Sequence, residues 1–131
     1  MSHETTAPDQ DARILAAAAH GLTFVEGGLI GPAIVYFAKR EANDFVAFHA
    51  LSSLLFGLGF LAIGLVTCGL GAAVLAIPYM VFEGIATIKA YEGEWYELPI
   101  VGRYARERYG PGAASAQSPN AAPMIPSSTA P

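Results

Sequence analysis

Apolar and charged positions are sharply segregated along this chain. Between Asp44 and Glu83 lie 38 residues, Phe45 to Phe82, without one Asp, Glu, Lys or Arg. A helix needs about 20 apolar residues to cross the hydrocarbon core of a bilayer. The stretch has room for two crossings, and Thr67-Cys68-Gly69-Leu70-Gly71 supplies a Gly-rich break near its middle. The pattern predicts a transmembrane hairpin with helices over about Asp44–Val66 and Gly69–Tyr91. Pro78 falls inside the second helix, where a kink is expected and membrane helices tolerate one.

A shorter apolar stretch lies between Arg13 and Lys39, interrupted at Glu26. Glu26-Gly27-Gly28 followed by Gly31-Pro32 is breaker chemistry, and Pro favours the first turn of a new helix. Two short helices follow, about Ala12–Val25 and Gly31–Glu41. At ~1.5 Å per residue each is roughly 16–21 Å long, short of the ~30 Å core, so a partly inserted hairpin is expected. Beyond the last long helix, a tight turn near Gly93 and a surface helix from about Gly102 are expected. Tyr91, Trp95, Tyr96, Tyr104 and Tyr109 suit an interfacial band at headgroup depth, where half-wet aromatic rings are enriched. The fold class is therefore all-α: an integral membrane bundle of about four segments, in two hairpins of which the first is short, plus an interfacial C-terminal helix. Residues 1–11 and the uncharged Ala/Pro/Ser-rich stretch 110–131 read as disordered tails around a membrane domain of residues 12–109.

Composition agrees with a bilayer as the main partner. Hydrophobic residues make up 53% of the 131 and charged residues 14%, against ~25% charged in soluble domains. The net charge of −4 shows no basic excess, which argues against nucleic acid as a partner. The single cysteine, Cys68, can form neither an internal disulfide nor a Cys-based zinc site, and reads as a small packing residue in the hairpin turn. Residues 1–12 lack a basic, then apolar, cleavable signal. All seven cations (Arg13, Lys39, Arg40, Lys89, Arg103, Arg106 and Arg108) fall where two stacked hairpins have one common end. The positive-inside rule then places both termini in the cytoplasm, for a multi-pass protein of a bacterial inner membrane. A three-span alternative puts Arg13 alone outside, which the rule also permits.

Three ionisable residues interrupt the apolar segments: His20, His49 and Glu83. Such residues are costly in a membrane and mark functional hypotheses. Counted from the nearest charged end, all three lie roughly 7–11 Å from the same face at ~1.5 Å per residue. His49 and Glu83 can therefore meet in an antiparallel hairpin. The chemical reading is a polar site for proton relay or metal binding, since imidazole titrates near neutrality and ligates metals. The structural reading, which is preferred, is an interhelical hydrogen bond of ~0.6–2 kcal/mol. The zinc signal is weak without HExxH-type spacing, and a haem between His20 and His49 is a weaker reading still. A second constellation is of small residues. His49, Ser53, Gly57 and Gly64 share a helical face, and Ala72, Ala73 and Ala76 can form another, as close helix packing or self-association requires. Walker, GxGxxG and Ser-His-acid patterns are absent.

Certain segments resemble a known group. Gly31-Pro32, then Lys39-Arg40, then Phe45-Val46-Ala47-Phe48-His49-Ala50-Leu51 are similar to a bacterial family of small membrane proteins without assigned function. That family is related to the twenty-kilodalton component of the chloroplast inner-envelope protein-import translocon. The run Lys89-Ala90-Tyr91-Glu92-Gly93-Glu94-Trp95-Tyr96-Glu97-Leu98-Pro99-Ile100-Val101-Gly102 is the more specific match. The chain departs from the pattern at Ser52, where relatives often carry Gln, and at Ala47, where Arg is common. The resemblance covers about Ala12 to Tyr109 and implies a helical membrane domain of about four segments, with no known cofactor or catalytic residue. The plastid branch adds an association with protein translocation, which fold similarity alone does not transfer.

Three functional expectations follow, in this order. The first is a non-enzymatic scaffold or accessory subunit of a membrane complex, linked to translocation or assembly, with other membrane proteins or a second copy as partners. The second is a small transporter or channel with a His/Glu gate, because the broken first hairpin resembles discontinuous transporter helices. The third is a metal or haem membrane enzyme.

Overall fold

The computed structural model describes residues 7–113, and the expected tails beyond them (1–6 and 114–131) lie outside the described residues. Among the described residues there is no strand. There are five helices and one single-turn segment: α1 (Gln10–Gly21), the one-turn α2 (Thr23–Glu26), α3 (Ile30–Lys39), α4 (Asp44–Val66), α5 (Leu70–Glu92) and α6 (Gly102–Tyr109).

Helix α1 starts two residues before the expected Ala12, because Asp9 caps it by accepting from the Ala12 amide at 2.8 Å. It ends at Gly21 rather than running to Val25, and α2 follows as a separate turn. The entry to α3 is capped from outside the helix. The four leading amides of a helix have no partner within it. Here the Glu26 carboxylate accepts from Ile30 at 2.8 Å and Gly31 at 2.6 Å, Pro32 has no N–H, and the Ala33 amide donates to the Leu29 carbonyl. Glu26 is thus the reason the first apolar stretch can turn and restart. Asn43 caps α4 by accepting from the Val46 amide. At the far tip, Thr67 accepts from the Gly71 amide, and Cys68 and Gly69 carry the turn at positive φ. Pro78 lies within α5, which continues through it to Glu92.

Helices α4 and α5 are each 23 residues long and apolar enough to cross a membrane. Helix α4 is the hub, packing against α1, α3, α5 and α6, while α1 also packs along α5. Most buried residues of these two helices are alanines, Ala12, Ala16 and Ala19 on α1 and Ala86 and Ala90 on α5, and Ala12, Ala16 and Ala90 share one cluster. Small side chains let two helix backbones approach closely. The core lies toward the end that carries the cations. One cluster joins Ala12, Ala16, Phe45, Val46 and Ala90; another joins Phe48, Leu51 and Ala105. Trp95 packs against both. Toward the Thr67–Gly71 tip, α4 and α5 run on as a pair whose outer faces expose Leu65, Val66, Leu70, Val74 and Ile77.

Candidate functional site

His20 enters from the last turn of α1, His49 from the second turn of α4, and Glu83 from the C-terminal half of α5. All three side chains are fully buried. Antiparallel packing brings residues distant in sequence to one depth, and His20 takes the middle place. Its Nδ1 is 2.7 Å from Glu83 Oε2, and its Nε2 is 3.1 Å from His49 Nδ1. His49 and Glu83 do not bond each other directly but are linked through His20. The two imidazoles meet edge to face, with centroids 5.3 Å apart.

Both ends of this chain of bonds are anchored. His49 Nε2 is 2.9 Å from the Glu94 carbonyl, just past the end of α5. Ser53 Oγ lies 3.2 Å from each Glu83 carboxyl oxygen and 3.3 Å from the Ala19 carbonyl. Backbone bonds fix the neighbouring turns: Thr23 donates to the His20 carbonyl, and Thr87 to the Glu83 carbonyl. Around His49 the rings of Phe45 and Phe48 stand edge-on, and Trp95 closes over both phenyl groups.

Donor accounting sets the direction of the chain. A carbonyl oxygen only accepts, so His49 carries a proton on Nε2. In a neutral ring its Nδ1 must then accept, which makes His20 Nε2 the donor. One proton is left for the 2.7 Å gap between His20 Nδ1 and Glu83 Oε2. It gives either a carboxylic acid facing a neutral imidazole or a carboxylate facing an imidazolium. In both forms the triad is neutral overall, as an apolar surrounding requires of a buried ionisable group.

Each imidazole thus has both ring nitrogens in hydrogen bonds. A metal ligated there would first displace one of these bonds. Among the described residues no group of three His, Cys, Asp or Glu side chains is arranged to hold a metal ion.

The aromatic segment is divided in its placement. Tyr91 and Tyr104 are exposed and Tyr96 is half-buried. Trp95 is half-buried as well, with its ring packed on Phe45 and Phe48. Tyr109 turns toward α3, its hydroxyl 2.8 Å from that of Tyr36. Of the small residues, Gly57 does most: a Cβ there would overlap the Gly28 carbonyl, so Gly57 lets the tip of the first hairpin rest on α4. Gly64 faces Ala72 across the second hairpin. Ser53, on the packing face with Gly57 and Gly64, also bonds the Glu83 carboxyl, and its one-turn spacing from His49 is the sequence signal for that.

Comparison with known proteins agrees with this membrane reading. The chain is 30% identical over 98 residues to an UPF0132 membrane protein of Archaeoglobus fulgidus, covering 70% of this chain and 93% of that protein. No solved structure matches it. Neither match carries a link to the chloroplast import translocon. The model of the magnetosome magnetite crystal formation protein family, MamF/MmsF, matches residues 11–105, which takes in α1 to α5 and every member of the His20–His49–Glu83 triad, and the chain belongs to that family.

Proposed function

We propose that this protein is a non-enzymatic, multi-pass membrane component that acts as a scaffold or accessory subunit, with the triad serving as the clamp that holds α1, α4 and α5 together. The carrying observation is the closure of the polar network. The ring nitrogens of His20 and His49, the Glu83 carboxyl and the Ser53 hydroxyl all have partners inside the bundle. A group committed on every side to its own helices is poorly suited to attack or ligate a substrate.

The outer faces point to where the protein acts. Exposed Leu70, Val74, Ile77 and Val81 make α5 apolar toward its surroundings, which suits lipid or another membrane helix. The cations gather at the opposite end from the Thr67–Gly71 tip, and the positive-inside rule makes that end cytoplasmic. The family description, magnetosome magnetite crystal formation, and the membrane-protein relative together support a membrane role tied to mineral formation. Several carboxylates are engaged within the chain: Glu26 on the α3 amides, Glu92 and Glu94 with Lys89, and Glu97 with Arg106. This favours action through assembly over direct display of a carboxylate surface.

The test is extraction of the tagged protein from its own membranes in mild detergent, with bound proteins identified by mass spectrometry. The proposal expects a reproducible, stoichiometric set of membrane proteins, or a defined homo-oligomer. Members of a translocation machinery in that set would supply the finer role. A solitary monomer would count against the scaffold.

A second reading is favoured by one observation, the continuous bonds from Ser53 through Glu83, His20 and His49 to the Glu94 carbonyl. Such a chain can pass a proton if its imidazoles exchange donor and acceptor roles. Proton flux in proteoliposomes, lost in Glu83→Gln, would support a transporter. Flux unchanged in that variant would remove Glu83 from any such route.

A further inference from the structure

Two cavities border α3. One is an almost wholly apolar groove of about 560 Å³ between α3 and α4, lined by Leu29, Ala33, Phe37, Leu54 and Leu58 among others. The other is a polar cavity of about 500 Å³ where α3 ends, α4 begins and α6 ends. Its wall carries Tyr36, Arg40, Glu41, Asp44, Arg108 and Tyr109. Phe37 and Arg40 join the two, with the Arg40 guanidinium 5.5 Å from the Phe37 ring centroid. From Leu29 to Phe37 the groove follows α3 for roughly 12 Å at ~1.5 Å per residue, close to the ~15 Å depth of one leaflet.

We infer that this pair of cavities is a binding site for a single zwitterionic aminophospholipid, with an acyl chain in the α3–α4 groove and the headgroup between Arg40, Arg108, Glu41 and Asp44. The charge pattern selects the headgroup. Two guanidinium groups and two carboxylates line one small cavity. A phosphate beside Arg40 and Arg108 satisfies the cations, since guanidinium suits phosphate geometry. An anionic headgroup would leave Glu41 and Asp44 facing added negative charge. A primary ammonium one short linker from the phosphate gives both carboxylates a donor, which a quaternary ammonium lacks. The existing Arg40–Glu41 contact is long at 3.5 Å and its side chains are solvent-exposed, so the headgroup displaces a weak pair. Arg108 is already held near Tyr109, and the Tyr36–Tyr109 hydroxyl bond ties α6 to α3, so the cavity walls come preformed. The site depends on the membrane placement of the chain and not on the scaffold role.

The test uses the full chain in detergent, titrated with phosphatidylethanolamine, phosphatidylcholine and phosphatidylglycerol of matched acyl chains and read by native mass spectrometry. The expected result is one retained phosphatidylethanolamine, bound at least ten-fold more tightly than the other two. Arg40→Gln and Glu41→Gln each weaken it ten-fold or more and reduce the preference. Ala33→Phe, which fills the groove without touching the headgroup cavity, weakens all three lipids alike. Circular dichroism of each variant, compared with wild type, verifies the fold. Equal retention of the three lipids by wild type overturns the headgroup assignment. Binding unaffected by both Arg40→Gln and Ala33→Phe in folded protein overturns the site.

Discussion

His20 Nδ1 and Glu83 Oε2 lie 2.7 Å apart between α1 and α5, with both side chains wholly shielded from solvent. The bond joins the short N-terminal helix to one of the two long apolar helices. Its proton is accounted for by a carbonyl two bonds away, at Glu94. The clamp therefore makes a specific demand on position 83: with His20 neutral, the group there must present a donor to His20 and an acceptor to Ser53.

Glutamine meets that demand and alanine does not. Glu83→Gln is expected to unfold within about 1 kcal/mol of wild type, because its amide donates to His20 and its carbonyl accepts from Ser53. Glu83→Ala leaves both partners unpaired beside a void and is expected to cost about 2–4 kcal/mol. Thermal unfolding in one detergent, followed by circular dichroism, separates the two. Equal losses in both variants would mean that the charge itself, and not the donor pattern, holds the helices.

Gly57 carries the second prediction. Its Cα faces the Gly28 carbonyl so closely that a methyl group overlaps it. Gly57→Ala is expected to lift the first hairpin from α4 and cost about 1–3 kcal/mol. Gly59 has nothing near its missing Cβ, so Gly59→Ala is expected to be neutral or to stabilise by up to about 1 kcal/mol. The paired melting curves decide this, and similar shifts in the two variants would refute the contact.

For Glu26 the expected effect is local. Glu26→Ala strips the Ile30 and Gly31 amides of their acceptors. The expected cost is about 1–2 kcal/mol, comparable to losing a helix cap. Hydrogen exchange should quicken across the first turn of α3 while α4 and α5 keep their protection. Unchanged exchange at Ile30 and Gly31 would show that the cap is dispensable.

Trp95 is the only tryptophan, so its fluorescence reports one environment. Packed on Phe45 and Phe48, it is expected to emit in the blue and to resist quenching by iodide. Trp95→Ala is expected to cost about 2–4 kcal/mol, near the lower range for a buried aromatic. Red emission with ready quenching would return it to a headgroup-facing role.

The long hairpin was legible in the sequence because Phe45 to Phe82 holds no Asp, Glu, Lys or Arg and is mostly apolar, and a bilayer leaves such a stretch little choice. The break at Glu26-Gly27-Gly28 was legible as a break, but the capping role of Glu26 was not, since a carboxylate four residues ahead of a helix has no fixed reach in sequence. His20, His49 and Glu83 stood out because ionisable groups are rare in such segments. Their order was hidden: which imidazole stands in the middle depends on how α1 rotates on α5, where Ala12, Ala16 and Ala90 share a cluster. Alanine is common on any helix, so these positions carry no signal in the sequence. The contact of Trp95 with Phe45 and Phe48 was not legible, since it depends on how the Gly93 turn directs the chain after α5.

Parallel purification of tagged wild type and Glu83→Gln from native membranes, with quantitative mass spectrometry of what stays bound, tests the central claim most directly. A clamp within a scaffold predicts the same stoichiometric set of membrane partners, or the same homo-oligomer, for both proteins. A solitary monomer whose proton flux in proteoliposomes disappears with Glu83→Gln would contradict it, and would make the triad a proton path.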